Sequence, residues 1–234
     1  MEEGVIMTFE HDGLIFAPIS VSEAKIIGTT NKSLNSLVCP GVVDNYNVTR
    51  IGEKAFKNFT SLKMVFLSKN IKHIETEAFA GCTALKDVLQ ILQSPAINIG
   101  DGAFLGCRSL TQFSANIASI GVAAFGACDA LEKIVISPHC KSICSFAFMG
   151  CNILHSIYFE GGTWATPILK ISVDIFLNCP VKYLYSDRQV EFKYNAIITK
   201  NDYPLPRSIQ IMATASSNLN ELAVFGYNII EWIT

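Results

Sequence analysis

Apolar positions along this chain recur about every 23 residues, and each period reads as one turn of a coil. The unit runs from an alanine-phenylalanine pair through two residues to a cysteine, then through two more to a leucine. It occurs as Ala78-Phe79…Cys82…Leu85, Ala103-Phe104…Cys107…Leu110, Ala124-Phe125…Cys128…Leu131 and Ala147-Phe148…Cys151…Leu154. Degenerate copies flank these, as Ala55-Phe56…Phe59…Leu62 and Ile175-Phe176…Cys179. The six phenylalanines stand 23, 25, 21, 23 and 28 residues apart. The second repeat is therefore two residues long and the third two short. The last spacing carries five extra residues, near Gly161–Pro167. A fixed period of this length marks a solenoid, whose units bury their apolar faces only against neighbours.

Each leucine opens a short segment of the form L-x-x-(I/V/L)-x-(L/I), as in Leu62–Leu67, Leu131–Ile136 and Leu154–Phe159. An earlier segment, Leu34–Cys39, has no full repeat before it. Alternation puts positions four and six on the inward face of a strand, and β-branched and aromatic residues favour that state. An isoleucine precedes each phenylalanine by five residues: Ile51, Ile74, Ile99, Ile120, Ile143 and Ile171. The residue before the cysteine is Asn58, Gly81, Gly106, Ala127, Gly150 or Asn178, which predicts a tight left-handed turn there. Gly52, Gly100 and Gly121 follow three of the isoleucines, but Glu75, Cys144 and Ser172 follow the others, so positive φ is not required at that site.

The string I-G-x-x-A-F-x-x-C-x-x-L, seen at Ile51–Leu62 and Ile120–Leu131, resembles the BspA-like leucine-rich repeat family over roughly residues 34–187. Asp12–Phe16 and Ser22–Ile26 resemble the small β cap that opens such proteins. The resemblance implies an α/β leucine-rich repeat fold: a right-handed, strand-dominated solenoid with a short parallel sheet on its concave side. The expected organisation is an N-terminal β cap at 1–33, the solenoid at 34–187 and a divergent C-terminal repeat or cap at 188–234. The family also implies a non-enzymatic, often surface-displayed protein that binds host or matrix proteins. No binding residue carries over, because the shared motif is the scaffold.

Composition narrows the function further. Eighteen Lys and Arg against 20 Asp and Glu leave a formal charge of −2 with no basic run, which argues against nucleic-acid binding. The uncharged stretch Ser109–Cys128 contains an in-register repeat and reads as core, not as a transmembrane segment. Met1-Glu2-Glu3-Gly4 lacks the features of a signal peptide. Cytoplasmic residence is thus one expectation, and cell-surface or secreted placement, from the family, is the other. Five of the eight cysteines are repeat cysteines; a slot that also accepts Phe59 is hydrophobic, so buried reduced thiols are expected. Cys140 and Cys144 fall on inward and outward positions, so with His139 they predict no metal site. No phosphate-cradling, nucleophile-elbow or zinc-protease motif occurs, and Glu75 and Glu77 read as solvated acids. No enzyme activity and no cofactor are expected.

Strand positions three and five face away from the core. They carry Met64, Asp87, Gln112, Lys133, Ser156 and Tyr183 in one file, and Phe66, Leu89, Ser114, Val135, Tyr158 and Tyr185 in the other, extended by Val38. The second file is apolar for an outward stripe, and exposed aromatics are favoured binding anchors. Met64, Phe66, Leu89, Lys133, Val135, Tyr158, Tyr183 and Tyr185 are the candidate protein-binding residues. Cross-strand stabilisation is the other reading of the same file. Trp164, in the insertion, is a second candidate. Beyond the repeat, Val190–Tyr194 and Leu219–Val224 read as strands, with a helix from Leu219 onward as the competing reading. The apolar end Phe225–Thr234 is expected to dock another copy in self-association, to pack back on the solenoid or to belong to a truncated array.

Overall fold

The computed structural model describes residues 7–91, 94–160, 169–180, 183–186, 190–193 and 210–213. The insertion with Trp164, the Leu219–Val224 segment and the apolar C-terminal stretch lie outside these residues. For Tyr183 and Tyr185 only the backbone placement is described.

Each coil contributes one strand at its leucine segment and a second at its isoleucine. The isoleucine strands form one broad sheet: Tyr46–Ile51, His73–Ile74, Ile97–Ile99, Ile117–Ile120, Ser142–Ile143, Leu169–Ser172 and Val190–Lys193 pair in parallel, in that order. Most of this sheet was not legible from the sequence, because strands as short as His73–Ile74 and Ser142–Ile143 carry one apolar residue and leave no alternation to read, whereas Val190–Lys193 falls within the strand expected at Val190–Tyr194. At its N-terminal edge the hairpin Phe9–His11/Leu14–Pro18 turns through Asp12 and Gly13, both at positive φ, a geometry suited to a two-residue hairpin loop. Leu14–Pro18 then pairs antiparallel with Glu23–Thr29, which joins Tyr46–Ile51 in parallel. Phe16 and Ile26 are fully buried and close this end of the core. Helix is confined, among the described residues, to the 3-10 turn Val173–Phe176.

The leucine strands form two narrow parallel sheets rather than one. Ser36–Val38, Met64–Leu67, Asp87–Gln90 and Gln112–Ser114 make the first; Lys133–Ile136, Ser156–Phe159, Tyr183–Ser186 and Gln210–Ala213 make the second. This corrects the expectation of a single sheet. The backbone ladder reaches Ala130 N–H to Arg108 C=O at 3.0 Å and stops there. The strand Gln210–Ala213, paired in register with Tyr183–Ser186, is a further element that sequence reading missed.

Between the sheets runs one core. The rings of Phe56, Phe79, Phe104, Phe125, Phe148 and Phe176 stack in a file, with centroid spacings of 5.4, 5.3, 5.3, 5.6 and 6.5 Å. Leu62, Leu85, Leu110, Leu131 and Leu154 are fully buried, and Ile51, Ile74, Ile99, Ile120 and Ile143 are buried beside them. Burying such a side chain contributes roughly 1.5–3 kcal/mol, which offsets the ordering of a coil only when neighbours cover both its faces.

The predicted left-handed turn is present in every coil: Asn58, Gly81, Gly106, Ala127, Gly150 and Asn178 have φ of 61, 73, 72, 53, 69 and 58°. A second left-handed position, two residues before the phenylalanine, was missed. It holds Lys54, Glu77, Gly102, Ala123 and Phe146, and only one of these residue types advertises the conformation. The glycine after the isoleucine serves close approach instead. A Cβ on Gly121 would lie 2.6 Å from the Asp101 backbone nitrogen of the preceding coil.

Candidate functional site

The repeat cysteines are structural. Each of the thiols of Cys82, Cys107, Cys128 and Cys151 donates to the carbonyl of the preceding coil's phenylalanine, at 3.0–3.3 Å. Burial pushes the Cys82 thiol up to about 12, and burial likewise raises Cys107 and Cys128. For Cys151 the neighbouring Cys128 thiol is the first cause of the rise. Thiols held neutral in this way are poor nucleophiles. Cys140 is buried and Cys144 exposed, so the two do not converge.

The broad sheet carries a shallow groove of about 430 Å³ on its outer face, lined by Arg50, His73, Glu75, Asn98, Asp101 and Ser119 among others. Its charges are largely satisfied from within. Glu75 accepts from Lys25 Nζ at 3.2 Å and from the Glu53 backbone N–H at 3.0 Å, and faces Arg50 at 3.6 Å. Glu77 is held by Lys57 Nζ at 2.9 Å, and that bond keeps its carboxyl below the usual range. Both acids are ion-paired and partly buried, which corrects their reading as solvated residues. Burial first, and then Arg50, pushes the His73 imidazole below its usual range. No group of three or more metal-ligating side chains converges among the described residues. No helix among them is long and apolar enough to cross a membrane.

The outer face of the narrow sheets is different. Strand registry brings Val38, Phe66, Leu89 and Ser114 side by side in the first sheet, and Val135, Tyr158 and Tyr185 in the second. Exposure is 65% at Val38, 38% at Phe66, 38% at Val135 and 36% at Tyr158. Leu89 and Met64 are half-buried, and Lys133 is exposed. Inward partners alternate as the pattern requires: Val65, Val88, Phe113, Ile134 and Ile157 are buried. Ser156, expected on the outward file, is buried, so that file is closed over at its third position in the second sheet. The described candidates thus fall into two apolar groups, separated by Gln112, Ser114 and the break between the sheets. The break had no signal beyond the short third repeat.

The model of the BspA type leucine rich repeat region matches the chain in six copies, over residues 30–114 and 88–201. Among solved structures, a leucine rich cell surface protein from Faecalibacterium prausnitzii is similar at a TM-score of 0.68 and 22% identity, over 88% of this chain and 54% of that one. The leucine rich repeat protein of T. pallidum is similar at a TM-score of 0.64 and 24% identity, over 82% of this chain and 85% of that one. The chain thus spans about half the length of the first of these. At these identities the likeness establishes the fold. A comparison with curated proteins gives no match.

Proposed function

Because the chain belongs to the BspA-type leucine-rich repeat family, we propose that it binds a protein partner through the outer face of its narrow sheets, as an adhesin or surface antigen does. Repeats of this family build interaction scaffolds of a non-enzymatic type. The observation that carries the reading is the two in-register apolar pairs, Val38 with Phe66 and Val135 with Tyr158, which stay exposed although the alternation of each strand buries its neighbours. Large apolar side chains left outside a well-formed core mark interaction surfaces, and repeat folds offer such surfaces as extended faces. The groove on the opposite sheet is filled with ion pairs internal to the chain and offers no comparable anchor.

The test is binding of the intact chain to a panel of purified matrix proteins, compared with the variant Phe66→Ser/Val135→Ser/Tyr158→Ser. The expected result is binding by the parent and a loss of tenfold or more in the variant, since a few buried anchors dominate such interfaces, with circular dichroism unchanged. Equal binding by both rejects this face. Protease or biotin labelling of intact cells separates the adhesin from an intracellular scaffold that uses the same surface.

A further inference from the structure

The charge pattern around the first narrow sheet bears on the kind of partner, on the reading that this face is the binding surface. Lys63 and Lys86 each stand one residue before a strand, and the Lys86 N–H bonds the Lys63 carbonyl at 2.8 Å, so the two are neighbours on adjacent coils. Both are exposed, and neither forms an ion pair among the described residues. Among the described residues six other cations are neutralised, while Lys32, Lys133 and Lys141 form no ion pair either. Lys25 and Arg50 meet Glu75, Lys54 and Lys57 meet Glu77, Lys72 meets Glu23, and Arg108 faces Asp129. Lys69, in the turn after Met64–Leu67, is exposed and unpaired among the described residues as well. Against these three lysines the same sheet sets one carboxylate, the half-buried Asp87. A chain of net charge −2 therefore presents a locally positive border beside the apolar group Val38, Phe66 and Leu89.

We infer that the first narrow sheet receives an acidic polypeptide segment that also carries apolar side chains. The apolar side chains rest on Val38, Phe66 and Leu89, and the carboxylates meet Lys63 and Lys86. Lys63, just ahead of the strand Met64–Leu67, precedes Phe66 by three residues, about 10 Å along the strand direction at ~3.3 Å per residue. A ligand segment running along the strand direction therefore places its acids roughly three residues from its apolar anchors. Charge complementarity of this kind sets partner choice and association rate more than final affinity, and it weakens with salt.

Short synthetic peptides that alternate leucine and phenylalanine with aspartate and glutamate are the probe, with lysine and serine versions of the same pattern as controls. Fluorescence anisotropy on the intact chain should favour the acidic peptide over both controls, and the preference should shrink as salt rises. Lys63→Glu/Lys86→Glu should weaken the acidic peptide about tenfold and transfer the preference to the lysine version. Phe66→Ser should weaken every version alike. If the double charge reversal leaves the preference unchanged while Phe66→Ser abolishes binding, the acidic partner is wrong and the face is right. If neither variant changes binding, both fail. Absence of any preference for the acidic peptide in the parent overturns the inference directly.

Discussion

The two sides of each coil respond differently to the same irregularity in length. The broad sheet runs unbroken from the N-terminal hairpin to Val190–Lys193, whereas the narrow side parts into two four-stranded sheets. From isoleucine through phenylalanine to leucine, every coil from Ile51–Leu62 to Ile143–Leu154 spans the same 11-residue step. From leucine to the next isoleucine the step is 12, 14, 10, 12 and then 17 residues. All length variation thus falls in the arc that holds the narrow strand and the turn after it. Where a 14-residue arc is followed by a 10-residue one, the broad sheet absorbs the change as a register shift at Ile97/Asn98. The narrow side, whose turn has shrunk to Ala115-Asn116, loses its ladder to the next coil. A solenoid keeps its core when variation is confined to one arc, and its binding face becomes the place where variation is expressed.

The largest effect follows from the core that bridges the break. Phe113 is the inward residue of Gln112–Ser114, and its ring meets Phe104 and Phe125 edge-on, with centroids 5.3 and 5.0 Å away. Phe125 also stacks on Phe104 and Phe148. Phe125→Ala should therefore cost about 3–5 kcal/mol. Urea unfolding should show a single transition displaced as a whole. Two resolved transitions in the parent would mean that the parted sheet divides the molecule into independent halves.

Next in size is a side chain that repairs the shortened coil. The Ser137 hydroxyl accepts from the Ile117 N–H at 3.0 Å and donates to the Ile117 carbonyl at 2.6 Å, inside the structure. Ser137→Ala should leave both backbone groups unpaired, at a cost of about 1–3 kcal/mol. Amide exchange at Ile117 should accelerate more than at Ile99 or Ile143 on neighbouring coils. Equal acceleration at all three would show that the hydroxyl does not act locally.

What could be read in advance follows the same division. The constant arc was legible, because phenylalanine, cysteine, leucine and isoleucine at fixed offsets specify a stacked core and a left-handed turn. The outward files were legible through strand alternation. The variable arc was not. A two-residue deletion says that something must give, but only hydrogen-bond geometry shows that it is the ladder between Gln112–Ser114 and Lys133–Ile136. Ser137 looked like any turn serine. The ion pairs at Glu75 and Glu77 depend on which coils lie above one another, so two acids spaced two apart gave no hint of them.

The smallest effect tests whether the constant arc is as uniform as its spacing implies. Ala127 occupies a position held elsewhere by glycine or asparagine, with φ of 53°. A left-handed conformation costs an alanine roughly 1–2 kcal/mol, and glycine gives back about 0.5–1 through its greater freedom in the unfolded chain. Ala127→Gly should therefore stabilise the protein by about 0.5–1 kcal/mol. Gly150→Ala is the reverse experiment. Its φ is 69° and an added Cβ would meet nothing within 4 Å, so only the backbone penalty is at stake. The two changes should be opposite in sign and similar in size by urea denaturation, although Ala127 lies in the coil beside the break and Gly150 one coil beyond it. A destabilising Ala127→Gly beside a destabilising Gly150→Ala would mean that the break reaches into the arc whose length never changes, and that the two sides of the coil are not independent after all.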